Sequence, residues 1–542
     1  MPRLIPSDIS DRRFDAIIVG AGINGAGIAR DAAMRGLKVL LLDKGDLAGG
    51  TSSWSTRLIH GGLRYLEYGE VGLVRESLRE RETLLRLAPH LVQPLPLIVP
   101  IYQHAARSKT TIRAGMVAYD VLSFDKSLPR HRILSRAETL ERVPELNDEG
   151  LEGAAVYHDA QVEFAERLVV ENALSAREHG ALVLTYARVD ELLLEKNRVA
   201  GVEFTDVLRG ESHRARAPMT INVAGPWVDE VLRNLAPSIR RMIGGTKGSH
   251  IVVDRFDGAP RAALYVEARA DRRPFFIIPW NDNLLIGTTD LPYEGDLDVV
   301  QASTEEIDYL IRETNHVIPA ARLTRDSILF TYSGVRPLPF VGEERDARGI
   351  TRRHFIHDHA PAIEGLLSIV GGKLTTYREL AKQTVDALFG KLGRKRLRSQ
   401  TAHTPLPGAR VEDFKTFTES FIANSGLAET TARRLLRIYG TRASSVVKLA
   451  GEHASLKESF DDESGAIGAE VIVAFRDEMA ETLSDCLMRR TMVGFGRKLG
   501  LAAASQAASV AQKHLGWDER RAAREIAAYH EYAKRLSCGG LD

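Results

Sequence analysis

Three short stretches of the sequence set a cation beside flexible backbone: His60-Gly61-Gly62-Leu63-Arg64-Tyr65, Lys247-Gly248-Ser249-His250 and Ser333-Gly334-Val335-Arg336-Pro337. An arginine can hold a phosphate or carboxylate through two parallel hydrogen bonds, and neighbouring glycines let the anion approach closely. Any one of these arginines alone reads equally well as a solvated surface residue. Three glycine-flanked stretches together point to an anion pocket. His60 and His250 lie in the same stretches, and an unperturbed imidazole titrates near neutrality, as a general base should.

A second group of residues is suited to phosphate of another kind. Gly20-Ala21-Gly22-Ile23-Asn24-Gly25 follows an apolar run and opens a helical pattern. In such a fingerprint the first glycine makes the turn, the second lets backbone approach a pyrophosphate and the third lets helix and strand pack closely. Asp43 ends the next apolar run, where a carboxylate can meet ribose hydroxyls, and Lys44 follows it. Thr51-Ser52-Ser53 then supplies hydroxyls in a glycine-rich loop, although alone it reads better as solvated loop. A second strand–glycine–helix junction, 368–376 with Gly371, Gly372, Lys373, Leu374 and Thr375, comes far later in the chain. A helix start aimed at a flavin ring would stabilise its reduced anion, whereas a nicotinamide needs no such element; the two junctions together favour FAD over NAD.

These groups need a scaffold, and the chain is long enough for about two to four domains. It has 542 residues, 44% hydrophobic and 27% charged, which excludes a disordered or fibrous protein. The formal net charge of +1 argues against a polyanion-coating, nucleic-acid-binding protein. Only Cys486 and Cys538 are present, so a disulfide scaffold, an all-cysteine zinc site and a four-cysteine iron–sulfur cluster are excluded by count. No apolar core of a signal peptide precedes Phe14, and the longest uncharged stretch, 87–106, is broken by prolines and cannot be a spanning helix. With neither cysteine near a cofactor stretch, any flavin is expected to be held noncovalently.

The apolar periodicity predicts strands at 14–19 and 39–42 around a helix over 28–35, a solvent-facing amphipathic helix over 70–88, and an extended crossover over 89–100. It predicts a helix over 164–179, strands near 182–185, 219–224 and 249–253, a hairpin from 275–279 to 283–287, and a strand–glycine–helix unit over 366–388. The fold expected is α/β: a Rossmann-like cofactor domain (about 14–88, 150–235 and 335–390) interleaved with a sheet-based substrate domain (about 89–149 and 236–334). A linker at 391–410 and an all-α domain over 411–538, with no clear strand, complete it. Residues 107–124 form a basic amphipathic segment, with Arg107, Lys109 and Arg113 beside Ile112, Met116, Tyr119, Leu122 and Phe124; it reads as a membrane-surface helix or as a core-packed one.

The runs at 23–29, 51–53, 58–67, 247–252, 286–290, 331–338 and 371–378 resemble the FAD-dependent glycerol-3-phosphate dehydrogenases, and Leu487-Met488-Arg489-Arg490-Thr491 resembles that family's C-terminal signature. The resemblance spans roughly 14–390 strongly and 400–535 more loosely. It implies an FAD fold of the glycine-oxidase/D-amino-acid-oxidase type, oxidation of sn-glycerol 3-phosphate to dihydroxyacetone phosphate, and electron delivery to membrane quinone. Hydride would pass from substrate C2 to flavin N5, with His250 as base and His60 the second candidate. Arg64, Tyr65, His250, Arg336 and Lys373 would surround the substrate. Gly20, Gly22, Ile23, Asn24, Gly25, Asp43, Lys44, Thr51, Ser52, Ser53, His60, Gly61, Gly62, Val189, Ala224, Gly225, Gly372, Lys373, Leu374 and Thr375 would surround FAD.

Asp43 stands where the family more often has Glu, and the cysteines of the anaerobic branch and an EF-hand loop are missing, which favours a bacterial, respiratory-type member. That reading carries a cytoplasmic location against the inner face of the cell membrane, and leaves a homodimer open. The alternatives are an oxygen-using glycerol-3-phosphate oxidase, an amino-acid or 2-hydroxyacid oxidase of the same fold and, from a different class, a non-catalytic nucleotide-binding or membrane-associated interaction protein.

Overall fold

The computed structural model describes residues 5–235, 239–342 and 352–538. The first residues of the polar N-terminus, the start of the 236–334 segment and part of the 335–390 segment lie outside the described residues.

Strand β1 (Ala16–Val19), helix α1 (Ile23–Met34) and strand β2 (Val39–Leu42) form the expected unit, the helix starting earlier than its periodicity implied. The glycines at 25 and 27, poor helix formers in isolation, are what the packing needs: a Cβ on Gly27 would sit 2.7 Å from the Tyr377 ring of the helix Tyr377–Lys391. β1 and β2 lie at the centre of a six-stranded sheet, parallel to Thr220–Asn222, Leu366–Val370 and Leu182–Leu184, with Phe355–Asp358 antiparallel at one edge. β1 and β2 are buried throughout, which is why they read as unbroken apolar runs.

The second body is a ten-stranded sheet that includes Val92–Tyr102, Leu151–Val162 and the predicted hairpin, Pro274–Trp280 paired with Asn283–Gly287. The 89–100 crossover is therefore corrected: most of it is a strand. Pro94, Pro96 and Pro100 share one parity, so their missing N–H groups fall on one edge. The strand pairs with Leu151–Val162 along its length on one side, but on the other only through Leu97 and Ile98. Leu151–Val162 itself belongs to this sheet, although the sequence placed 150–235 with the cofactor domain.

Three further expectations change. The helix Val71–Leu87 is not simply solvent-facing: Leu73, Val74, Leu78 and Leu84 are buried, and so are the ion pairs Arg81–Asp159 and Glu80–Arg378. The basic segment at 391–410 is no free linker. It straps α1, with Arg30 donating to the Thr404 carbonyl at 2.6 Å and Ser399 to Asp31. In the helical C-terminal part a small hairpin, Ser459–Asp461 with Ala466–Ile467, interrupts the helices.

The helix Lys109–Leu122 buries Ile112, Met116 and Tyr119, and Arg107 is paired with Glu67 and Glu267. Most of the apolar face named from sequence is thus core. What lies outside is Val117, Val121 and Phe124, the last two 65% and 78% exposed. No helix among the described residues is long and apolar enough to cross a membrane.

Candidate active site

Two contiguous cavities lie between the sheets. The larger, about 770 Å³, runs along the fingerprint turn; the smaller, about 340 Å³, opens beside it, and Thr51, Trp54, Gly371, Gly372 and Lys373 line both.

Of the cofactor candidates, Gly20, Gly22, Ile23, Asn24, Asp43, Lys44, Thr51, Ser52, Val189, Ala224, Gly225, Gly372, Lys373 and Leu374 line the larger cavity. His60, Gly62 and Thr375 line the smaller one. Gly25, Ser53 and Gly61 line neither. Gly25 lies under the turn, the Ser53 hydroxyl donates to the Ala48 carbonyl at 2.7 Å, and the Gly61 N–H donates to the Tyr119 hydroxyl at 3.0 Å. Asp43 accepts from the Ala21 and Gly45 amides at 2.6 and 2.9 Å, so it ties the fingerprint to the loop that follows. Lys44 is paired with Asp298 and lies over the Trp227 ring.

The larger cavity suits an FAD. Its turn admits only backbone, since a Cβ on Gly20 would meet the Val223 carbonyl at 2.7 Å. The start of α1 faces it, a favourable place for a pyrophosphate. Asn24 Oδ1 is buried without a partner, an acceptor that a bound nucleotide would satisfy. Neither cysteine lines either cavity.

The smaller cavity gathers Arg64, Tyr65, His250, Arg336 and Lys373 as the sequence proposed. Arg336 is the best positioned. Its Nη1 donates to Asp290 Oδ1 at 2.9 Å and its Nη2 to Thr288 Oγ1 at 3.0 Å. Gly248 makes room for it: a Cβ there would lie 2.2 Å from Nη2. Burial lowers the Arg336 pKa somewhat, opposed by Asp290. Burial also works against the Asp290 charge, but Arg336 and Arg352 outweigh it and hold the carboxyl below its ordinary value.

His250 is 1% exposed. Its Nε2 lies 3.0 Å from Thr56 Oγ1, Nδ1 has no partner, and the ring leans on Tyr332 with centroids 4.8 Å apart. Burial, then Arg336 and Arg57, push its pKa well below the ordinary value, so the imidazole is neutral. His60 is likewise lowered by burial, to about 4. Lys373 instead comes into the neutral range: burial brings it down to about 7, and its Nζ rests 3.8 Å from the Tyr65 ring centre. Arg64 donates to the Tyr68 hydroxyl, while its Nε is buried and unpartnered.

Sequence reasoning missed Thr56, Thr288, Asp290, Arg273 and Arg352, all of which line this cavity. Thr288 and Asp290 lay within the 286–290 run, whose acid end went unread. Arg352 points Nη2 at Asp290 from 3.4 Å and leaves Nη1 buried without a partner; nothing in its basic local sequence marked it out.

Lys373 carries a prediction. It is a cation below about pH 7 and neutral above, so anion binding by the free enzyme is strongest on the acid side. The kcat/KM for an anionic substrate is expected to fall as pH rises through that value, and the falling limb to leave the neutral range in Lys373→Arg, whose guanidinium stays charged. Identical pH profiles for the two proteins would assign the limb to another group.

A dinucleotide cavity opening onto a buried imidazole and a set of cations defines a flavoprotein oxidoreductase acting on an anionic substrate. The FAD dependent oxidoreductase family matches residues 15–378, and the C-terminal domain of alpha-glycerophosphate oxidase matches 399–522. A glycerol-3-phosphate dehydrogenase from Synechocystis sp. is 47% identical over 97% of this chain and 98% of its own length. The crystal structure of the Bacillus halodurans glycerol-3-phosphate dehydrogenase complexed with FAD superposes with a TM-score of 0.81 at 27% identity, covering 99% of this chain and 97% of that one. Glycine oxidase from Bacillus cereus shares the fold at TM-score 0.50 and 19% identity, over 72% of this chain and 98% of its own. The chain belongs to the FAD-dependent glycerol-3-phosphate dehydrogenase family.

Proposed function

We propose that the protein oxidises sn-glycerol 3-phosphate to dihydroxyacetone phosphate and passes the electrons to a membrane quinone. The observation that carries the substrate is the Arg336 guanidinium, fixed by Asp290 and Thr288 with Arg352 and Lys373 lining the same cavity as His250. Arg64, Arg336, Arg352 and Lys373 bind the phosphate and so orient the carbinol end. His250, neutral and 3.0 Å through Nε2 from Thr56 Oγ1, lines the cavity as the base that takes the hydroxyl proton. The nearby guanidinium lowers the cost of the developing alkoxide. FAD, when bound by the fingerprint cavity, supplies the hydride acceptor.

The test is anaerobic addition of sn-glycerol 3-phosphate to purified yellow protein. Bleaching of the flavin band, followed by recovery with a short-chain quinone but only slow recovery with oxygen, is the expected result. Rapid recovery with oxygen would make the protein an oxidase, and no bleaching would remove the substrate.

A quinone acceptor calls for contact with the bilayer at its cytoplasmic face. The exposed Val117, Val121 and Phe124 share the helix Lys109–Leu122 and its end with Lys109 and Arg113, an apolar strip edged by positive charge. Changing Val121 and Phe124 together to Glu is expected to reduce co-sedimentation with anionic liposomes at least fivefold by order of magnitude, each change adding an acid where apolar burial and cationic attraction operated. Unchanged sedimentation of a fully FAD-loaded variant would exclude this helix as the anchor.

A further inference from the structure

The larger cavity is not lined by the oxidoreductase segments alone. Arg535, just past the end of the C-terminal helix Glu519–Lys534, also lines it. Its guanidinium carbon lies 5.4 Å from the Trp54 ring centre and 5.2 Å from that of Tyr532. Trp54 belongs to the loop that carries Thr51, Ser52 and Ser53. Among the described residues no carboxylate forms an ion pair with Arg535, although other partly buried arginines are paired, such as Arg434 with Glu470 and Arg442 with Glu171.

The position of Arg535 is fixed from two sides. The next residue, Leu536, is buried, and its carbonyl accepts from the Thr331 N–H at 2.7 Å, tying the chain end to the strand that runs into Ser333 and Gly334 of the cavity wall. On the other side, Arg489 and Arg490 of the C-terminal domain both grip Asp46, in the loop between Asp43 and Thr51, with Nε and Nη distances of 2.6 to 2.9 Å. Arg489 also donates to the hydroxyl of Tyr532, against whose ring Arg535 rests. Asp46, Arg489 and Arg490 are buried and paired with one another, so the C-terminal domain is locked to the cofactor loop.

We propose that Arg535 is a ligand of the negative charge of bound FAD, so that the C-terminal helical domain supplies part of the cofactor site. A guanidinium held at a cavity wall without a protein counter-ion is suited to an anion entering that cavity. The cofactor offers two sources of such charge, its pyrophosphate and the ring once reduced. A cation just past a helix end also offsets the helix dipole, but that service needs no place in the cavity wall. The inference rests on FAD alone and holds whichever acceptor takes the electrons.

The experiment uses the full chain and three variants: Arg535→Gln, Arg535→Lys, and Arg520→Gln as a control removing an exposed charge elsewhere on the same helix. FAD affinity of the stripped proteins is read by flavin fluorescence titration, and the midpoint potential of the reconstituted proteins by dye equilibration. Loss of a charge-assisted contact to the pyrophosphate is expected to weaken FAD binding roughly tenfold in Arg535→Gln, with partial recovery in Arg535→Lys and none of this in Arg520→Gln. Unchanged affinity with a more negative potential would place the contact at the ring and still support the proposal. Unchanged affinity and potential would overturn it. So would an affinity loss matched by Arg520→Gln, or one accompanied by an equal fall in the melting temperature of the flavin-free protein with the FAD-induced increment intact.

Discussion

Gly25→Ala is expected to give a chain that folds around no flavin. An ideal Cβ at this position lies 1.8 Å from the Gly20 carbonyl oxygen and 3.0 Å from its carbon, both backbone atoms that no rotamer change can move aside. Relief requires α1 to back away from the turn. Gly20 cannot yield either, because its φ of +109° and its approach to the Val223 carbonyl leave it no room. The segment displaced is the one that lines the larger cavity, Gly20, Gly22, Ile23 and Asn24, whose shape is held by the Ile23 N–H donating to Ser52 Oγ at 3.0 Å and the Ala21 N–H donating to Asp43. Overpacking a rigid contact costs about 1–3 kcal/mol and at times more, and here the cost falls on the pyrophosphate cradle. Flavin content, read as the ratio of visible to protein absorbance, is expected to drop below about a tenth of wild type, since 1.4 kcal/mol is already tenfold in affinity. Gly72→Ala serves as control: the position faces open space in the helix Val71–Leu87, where alanine favours the helix. Normal flavin content in Gly25→Ala would mean that the turn is not the cradle.

The cofactor half of the site was legible because its demands are local. A glycine turn between a buried strand and a helix is a short-range pattern, and β1, α1 and β2 follow it. The cations of the substrate pocket were legible as residues but not as an arrangement. That Asp290 holds Arg336 between Arg352 and Arg273 depends on pairing between Thr246–Val253 and Ile328–Arg336, which no sequence window contains. The acid–base character was hidden for a related reason. His250 and His60 look like neutral-range bases until burial is known, and Lys373 looks like an ordinary lysine. The same holds for buried charge in the fold. Arg57 with Glu166, Arg81 with Asp159 and Arg167 with Glu478 are core elements that a polar pattern assigns to the surface. The crossover over 89–100 failed for a different reason: prolines argue against a strand except where one edge goes largely unpaired, and sheet order decides that.

Arg336→Ala is expected to lower kcat/KM for the phosphorylated substrate by two orders of magnitude or more while leaving the flavin in place. Arg336 lines the substrate cavity and not the larger one, so FAD loses no contact. A hydrogen bond to a charged group contributes about 1.5–3 kcal/mol, roughly 10- to 150-fold in rate. The true loss lies at or beyond the upper end, because the truncation also strips Asp290 of its best partner and leaves a carboxylate facing an incoming phosphate. Arg336→Lys keeps a charge but not the fork that reaches Asp290 and Thr288 together, so it recovers only part of the loss. Free glycerol as a poor, uncharged substrate separates the two services of the guanidinium. If Arg336 acts on the phosphate alone, the slow rate with glycerol is the same in wild type and Arg336→Ala. If it also steadies the alkoxide that forms as His250 takes the proton, that rate falls too. An unaltered kcat/KM with the phosphorylated substrate would instead make Arg336 a strut for Asp290, and the phosphate would have to be sought at Arg64, Arg352 and Lys373.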